Sequence, residues 1–140
     1  MRLFLDTSVL LAACGSATGA SREILRIAGA NRWVLITTPY VLEETARNLP
    51  LLAAEAAVVW NQLRPRLLVL EDVLTIQQPA VFPVGKDRPI LFSALAWADT
   101  LLTLDRGDFQ TLLGSDFYGL SVLRPGTFLE RERLAGRLVG

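Results

Sequence analysis

Apolar positions along the chain change period repeatedly, from the unbroken runs of buried strands to the three-to-four-residue spacing of helices. Residues 2–5 form a short apolar run that reads as a strand, and 7–13 read as the helix behind it. "ASREILRIAG", residues 20–29, has helical spacing, with Ser21 placed as an N-cap and Gly29 as a stop. "RWVLITTP", 32–39, is β-branched and apolar until Pro39 and predicts a second strand. Helical spacing returns in 40–49, with Val41, Leu42 and Thr45 on one side, and in the Ala- and Leu-rich segment 51–64, closed by Pro65. "LLVLEDVLTI", 67–76, predicts a third extended segment, and 77–86, with Pro79, Pro83 and Gly85, a loop. A helix over 87–98 carries Pro89 in its first turn, where proline is tolerated. A fourth strand over 100–104, a short helix over 106–114, a fifth strand over 120–125 and a C-terminal helix from about Thr127 complete the chain. No repeat or linker interrupts this alternation, which predicts an α/β fold: a mostly parallel sheet with helices on both faces. In such sheets ligands bind beyond the carboxyl ends of the strands.

Composition narrows the class. A length of 140 residues suits one domain, 1–140, with a core of its own. With 51% hydrophobic and 20% charged residues, a folded rather than a disordered chain is expected. No apolar run reaches the roughly 18 residues of a membrane span, and the N-terminus does not read as a signal peptide, so a cytoplasmic protein with no membrane partner is expected. One cysteine, Cys14, excludes an internal disulfide and a Cys-rich zinc site. Acidic and basic residues balance at 14 each, so net charge does not advertise a nucleic-acid partner. The basic residues are almost all arginine, with Lys86 the sole lysine. Arginine suits bidentate phosphate contacts, although coding bias explains the preference equally well.

The absence of histidine changes the picture most. It removes Ser-His-Asp triads, Cys-His dyads, His-ligated zinc and imidazole acid–base chemistry. Carboxylates are left to carry any catalysis, and clustered carboxylates call for a hard cation. Asp6 ends the first predicted strand, Glu43 and Glu44 lie a turn into the helix after the second, Asp87 opens the helix before the fourth, and Asp105 ends the fourth, with Asp108 three residues on. Singly, Asp6, Asp87 and Asp105 each read as helix N-caps, and Glu43 and Glu44 as a solvated face. Glu130 and Glu132, interleaved with Arg131 and Arg133, also read as solvated, and Asp99 and Asp116 as turn residues. Glu71 and Asp72 look like charges between two short extended pieces. Convergence of several acids at one sheet edge would raise their pKa values and strain the fold, a cost that Mg²⁺ or Mn²⁺ removes. Such a site suits activation of water against a phosphodiester, with Thr7 and Ser8 available to brace the carboxylates.

The ordered pieces "LFLDTSVLLAA", "TTPYVLEETARNL", "DRPILFSALAWADTLLTLDRGDF" and "LSVLRPGTFL" resemble PIN-domain nucleases, and among them the bacterial VapC-type toxins and related toxin ribonucleases. The resemblance implies a three-layer α/β/α sandwich and Mg²⁺- or Mn²⁺-dependent cleavage of single-stranded RNA. It implies catalytic acids at Asp6, Glu44, Asp87 and Asp105, with Asp6, Asp87 and Asp105 on the metal and Asp108 as an additional acid in the same turn. Glu44 is preferred to Glu43 because the family's acid directly precedes the position held here by Thr45. Arg88 and Arg106 lie beside the expected ligands as candidates for RNA contact. An antitoxin partner and a homodimer are implied as well, with helix faces such as Leu51 to Trp60 available as a surface. The chain departs from the family at Leu104, at Thr45 and in the loop 77–86, without losing an acid. The alternative is a PIN-like module that binds RNA or protein without catalysis; a phosphatase of the D-x-D class lacks its motif, because Thr7 and Ser8 follow Asp6.

Overall fold

The computed structural model describes residues 1–73, 88–105, 109, 112–114 and 116–140, and for Arg88 the backbone alone. Six strands form one sheet: β1 (Arg2–Leu5), β2 (Val34–Thr37), β3 (Leu68–Val69), β4 (Thr100–Leu102), β5 (Asp116–Phe117) and β6 (Leu120–Leu123). Their order is β3-β2-β1-β4-β6-β5, parallel throughout except for the β5–β6 pair. Leu3, Phe4 and Leu5 of the central strand are fully buried, as expected of a strand covered on both sides.

Among the described residues, six helices flank the sheet: α1 (Thr7–Gly15), α2 (Ala20–Ile27), α3 (Pro39–Asn48), α4 (Glu55–Leu63), α5 (Arg88–Trp97) and α6 (Pro125–Leu134). The chain winds outward from β1 to β2 and β3, then crosses back to β4 and winds the other way. Helices of the two halves meet one another, α2 packing against α6 and α3 against α5. The winding reverses between β1 and β4, which pair from Leu3↔Thr100 to Leu5↔Leu102. Open α/β sheets form their ligand crevice at this kind of switch point. Trp33 meets Phe128 edge to face at 5.0 Å, joining the entry to β2 to α6 within the core.

The departures from the sequence reading have local causes. Pro39 and Pro125 do not end strands; each opens a helix, where its missing N–H is no loss and its fixed φ is already helical. Segment 51–64 is divided: 3₁₀ turns at Leu49–Leu51 and Arg64–Arg66, each containing a proline, bracket a shorter α4. The N-cap of α2 is Gly19, while Ser21 lies inside the helix and is buried, and the helix ends before Gly29. The expected extended segment 67–76 forms a strand only at Leu68–Val69, and 74–76 and the loop 77–86 lie outside the described residues.

Asp116 is in a strand rather than a turn. The turn is Tyr118–Gly119, with φ of 51° and 86°, and the two positive values are those a two-residue type I′ hairpin needs. Glu132 is not solvated: it is buried and grips Arg137 through Nε at 2.9 Å and Nη2 at 2.8 Å. Asp72 caps rather than decorates, accepting from the Tyr40 N–H in the first turn of α3 at 3.0 Å. Asp99 accepts from the Arg2 N–H at 2.8 Å, tying the turn before β4 to the start of β1.

Candidate active site

Asp6 leaves β1 in extended conformation and starts α1, its carbonyl accepting from the Val9 and Leu10 N–H groups at 3.0 and 3.1 Å. Its side chain caps that helix and does more. Oδ1 accepts from the Thr7 N–H at 2.6 Å, while Oδ2 accepts from Ser8 Oγ at 3.0 Å and from Thr103 Oγ1 at 2.6 Å. Both hydroxyls also bind the chain beyond β4. Ser8 Oγ accepts from the Leu104 N–H, and Thr103 Oγ1 from the Asp105 N–H, each at 3.0 Å. Two hydroxyls thus clasp the ends of the adjacent strands β1 and β4 around one carboxylate.

Thr103 was not singled out by the sequence reading, which stopped at Leu104 and Asp105. The available signal was a buried strand ending in a residue that can both donate and accept, next to the strand that carries Asp6.

Glu44 approaches from α3. Thr7 Oγ1 donates to its Oε1 at 2.7 Å, so a hydroxyl bridges the first turn of α1 to the second acid. Glu43 faces outward with its side chain 74% exposed and pairs with Arg47 at 3.3 Å. The next residue, Thr45, is fully buried and donates to the Val41 carbonyl at 2.8 Å, which explains how a hydroxyl sits comfortably in an apolar position. Asp105 is half-buried at the exit of β4. Asp87, Asp108 and Arg106 lie outside the described residues, and Arg88 contributes the first backbone position of α5.

Burial raises the Asp6 carboxyl from 3.8 to about 6; the hydrogen bonds from Thr103, Ser8 and the Thr7 N–H resist this, and the nearby Glu44 charge adds to it. Three donors occupy most of the acceptor positions of a carboxylate, which number about four, and leave one for a further partner. Further along the same edge, the hydroxyls of Thr37 and Thr38 at the end of β2 are buried with no hydrogen-bond partner among the described residues.

Among the described residues, no three His, Cys, Asp or Glu side chains stand together as a metal cage. The donors that are present fit a hard cation in kind: oxygen ligands only, with Cys14 buried in the core and histidine absent from the chain. They fit in number as well, because Mg²⁺ commonly binds through one or two carboxylates and keeps several waters.

Acids and hydroxyls meeting at the switch point of a mostly parallel sheet place the chain among α/β proteins with a site at the carboxyl edge. No family model matches the sequence, and no curated protein matches it. Among solved structures, the fold is similar to that of a chain in the crystal structure of VapBC2 from Rickettsia felis bound to a DNA fragment from their promoter. The TM-score is 0.60 and the identity 15%, over 87% of this chain and 97% of that one. At this identity the likeness is one of fold, and it supports the PIN-like architecture that the sequence motifs imply. No helix among the described residues is long and apolar enough to cross a membrane.

Proposed function

We propose that the chain is a Mg²⁺- or Mn²⁺-dependent endoribonuclease acting on single-stranded RNA, and the toxin of a type II toxin–antitoxin pair. The observation that carries this reading is the Asp6 carboxylate: buried, braced by three donors, raised to about 6 and set beside a second acid, Glu44. A carboxylate kept only to cap α1 gains nothing from burial beside another acid. The similarity to VapBC2, whose structure includes promoter DNA, supports the toxin–antitoxin assignment, and with it an antitoxin partner for this chain. A homodimer belongs to the same proposal; of the face suggested for it, Leu51 and Val58 are exposed while Trp60 is in the core.

Asp6, Asp87 and Asp105 would hold the cation, and Glu44 and Asp108 would orient water. When bound, the cation supplies charge neutralisation and an acidified water for in-line attack on the phosphodiester. The chain's own part is orientation. Thr103 and Ser8 fix Oδ2 of Asp6, the Thr7 N–H fixes Oδ1, and Thr7 Oγ1 fixes Glu44. Arg88 and Arg106 are the RNA-contact candidates.

The test is cleavage of single-stranded RNA with Mg²⁺ or Mn²⁺, with and without EDTA, beside Asp6→Asn and Asp87→Asn. Activity lost on chelation and in both variants supports the proposal, and activity that survives all three sinks it. The alternative is a catalytically silent binding module. It predicts RNA or protein binding that is indifferent to metal, and no heat on titration with Mn²⁺.

A further inference from the structure

A cavity of about 510 Å³ opens between the end of α1, the first turns of α2 and α6, and Leu104. Its size is that of a small-molecule site, roughly 300–1,000 Å³, yet its chemistry is that of an anion site. Arg124 lines it, with an Nε that is shielded from solvent and has no hydrogen-bond partner among the described residues. Ser16, Ser21 and Thr127 add hydroxyls. Both helices start there without a side-chain cap, and in α6 Pro125 removes one N–H, so those of Gly126 and Thr127 lead that turn. One carboxylate, the exposed Glu130, also lines the cavity and opposes an anion.

One residue links the cavity to the acid site. Leu104 forms part of its wall, and the Leu104 N–H binds Ser8 Oγ, which in turn binds Asp6. We infer that this cavity holds a backbone phosphate of the RNA strand on one side of the bond being cut. A guanidinium Nε held out of solvent without a partner is costly until an acceptor reaches it. A phosphate meets the edge of a guanidinium with two oxygens and leaves others for hydroxyl and backbone donors. The inference rests on the ribonuclease reading for the identity of the strand, but the anion site itself stands on Arg124 and the cavity.

The test is performed on the full chain in EDTA, so that binding is read without cleavage. Inorganic phosphate is titrated first, then a single-stranded RNA of about ten nucleotides, within the size range of strand-binding grooves. Backbone amide spectra report the location. Amides of residues 20–21 and 126–127 are expected to shift with both probes, and RNA is expected to compete with phosphate. Arg124→Gln should weaken RNA binding roughly 5–10-fold and reduce the log–log salt slope by about 0.7, one contact's share for a single strand.

Gly126→Asp is the second variant, because a Cβ at that position meets nothing within 4 Å and an acid in the first turn of α6 supports the helix. It should lose phosphate binding while keeping its melting temperature. Glu130→Gln should act in the opposite direction and tighten both probes. RNA binding unchanged in Arg124→Gln and Gly126→Asp overturns the inference, as do amide shifts confined to other elements. Displacement of phosphate by an acidic peptide but not by RNA overturns it too. Metal-dependent cleavage with no dependence on Arg124 removes the subsite and leaves the nuclease; RNA seated in the cavity without cleavage does the reverse.

Discussion

Asp6 and Glu132 are the two acidic side chains that the fold buries most completely among the described residues, at 4% and 5% exposure, and yet their carboxyls shift in opposite directions. Glu132 is held by a guanidinium, and that pairing lowers its carboxyl below the ordinary range. Asp6 is held by two hydroxyls and an N–H, with another acid nearby, and its carboxyl rises to about 6. The structure around Glu132 satisfies its charge, whereas the described residues around Asp6 orient its charge without neutralising it. An acid in the second condition is stabilised by a positive ligand from outside, which separates a site residue from a structural one.

Asp6→Asn should break this contrast most severely. Removing a ligand charge costs several kcal/mol of transition-state stabilisation, so RNA cleavage should fall on the order of 10³-fold in a timed Mg²⁺ assay. The fold should survive, since asparagine can still cap α1. A fall below tenfold would remove Asp6 from the catalytic set.

The same substitution should flatten a pH dependence. A carboxyl raised in the folded state binds its proton before the unfolded chain does, so stability falls as pH rises from about 4 to about 6 and levels off above. The shift from 3.8 to about 6 corresponds to roughly 3 kcal/mol of cost once the group is charged. Glu132 has the opposite sign, contributing above the unfolded carboxyl value of 4.5 and losing that contribution only as pH falls through its lowered one. Urea unfolding between pH 4.5 and 8 therefore isolates Asp6. Stability should decline with pH in the wild type and stay level in Asp6→Asn, and Mn²⁺ should restore the wild type at pH 8.

Arg137→Met addresses the other acid. Removing Arg137 leaves the buried Glu132 carboxylate without its cation, so the melting temperature should fall, by less than for a fully buried pair because Arg137 is 61% exposed. Cleavage per folded molecule should be unchanged. The double variant Glu132→Gln with Arg137→Met should recover part of the loss, because the stranded charge is gone. A drop in activity with stability intact would mean that the two acids are not so cleanly separated.

How far these two acids were legible in the sequence differs for a physical reason. The strand-to-Asp6 step and the parallel α/β order follow from local periodicity, because Asp6 ends an unbroken apolar run and strand and helix spacings alternate, whereas the choice of Glu44 over Glu43 came from the family resemblance alone. Glu132 was misread as solvated because its partner, Arg137, lies beyond the end of the helix in a chain reversal that no periodic pattern encodes. Tyr118 hid the β5–β6 hairpin, since a tyrosine with positive φ is not a turn signal. Thr103 was passed over because its role exists only across strands: 97 residues separate it from Asp6, and only the β1–β4 register brings them together.

Thr103→Val sharpens the contrast at the smallest scale. The swap keeps the shape and removes the hydroxyl that donates to Asp6 Oδ2 and accepts from the Asp105 N–H. A hydrogen bond to a charged group contributes about 1.5–3 kcal/mol and one to a neutral group about 0.5–1.5, so the loss should itself depend on pH. At pH 8, where Asp6 is ionised, Thr103→Val should cost roughly 1 kcal/mol more than at pH 4.5, where it is protonated. Thr103 leads the hydrogen bonds that hold the Asp6 pKa down, so its loss should move the titration above about 6. The acid limb of the cleavage–pH profile should move up with it, whereas Arg137→Met, far from that carboxyl, should leave the limb in place. Equal costs at both pH values, with the limb unmoved, would reduce Thr103 to a strand-end contact and leave Ser8 and the Thr7 N–H as the supports of Asp6.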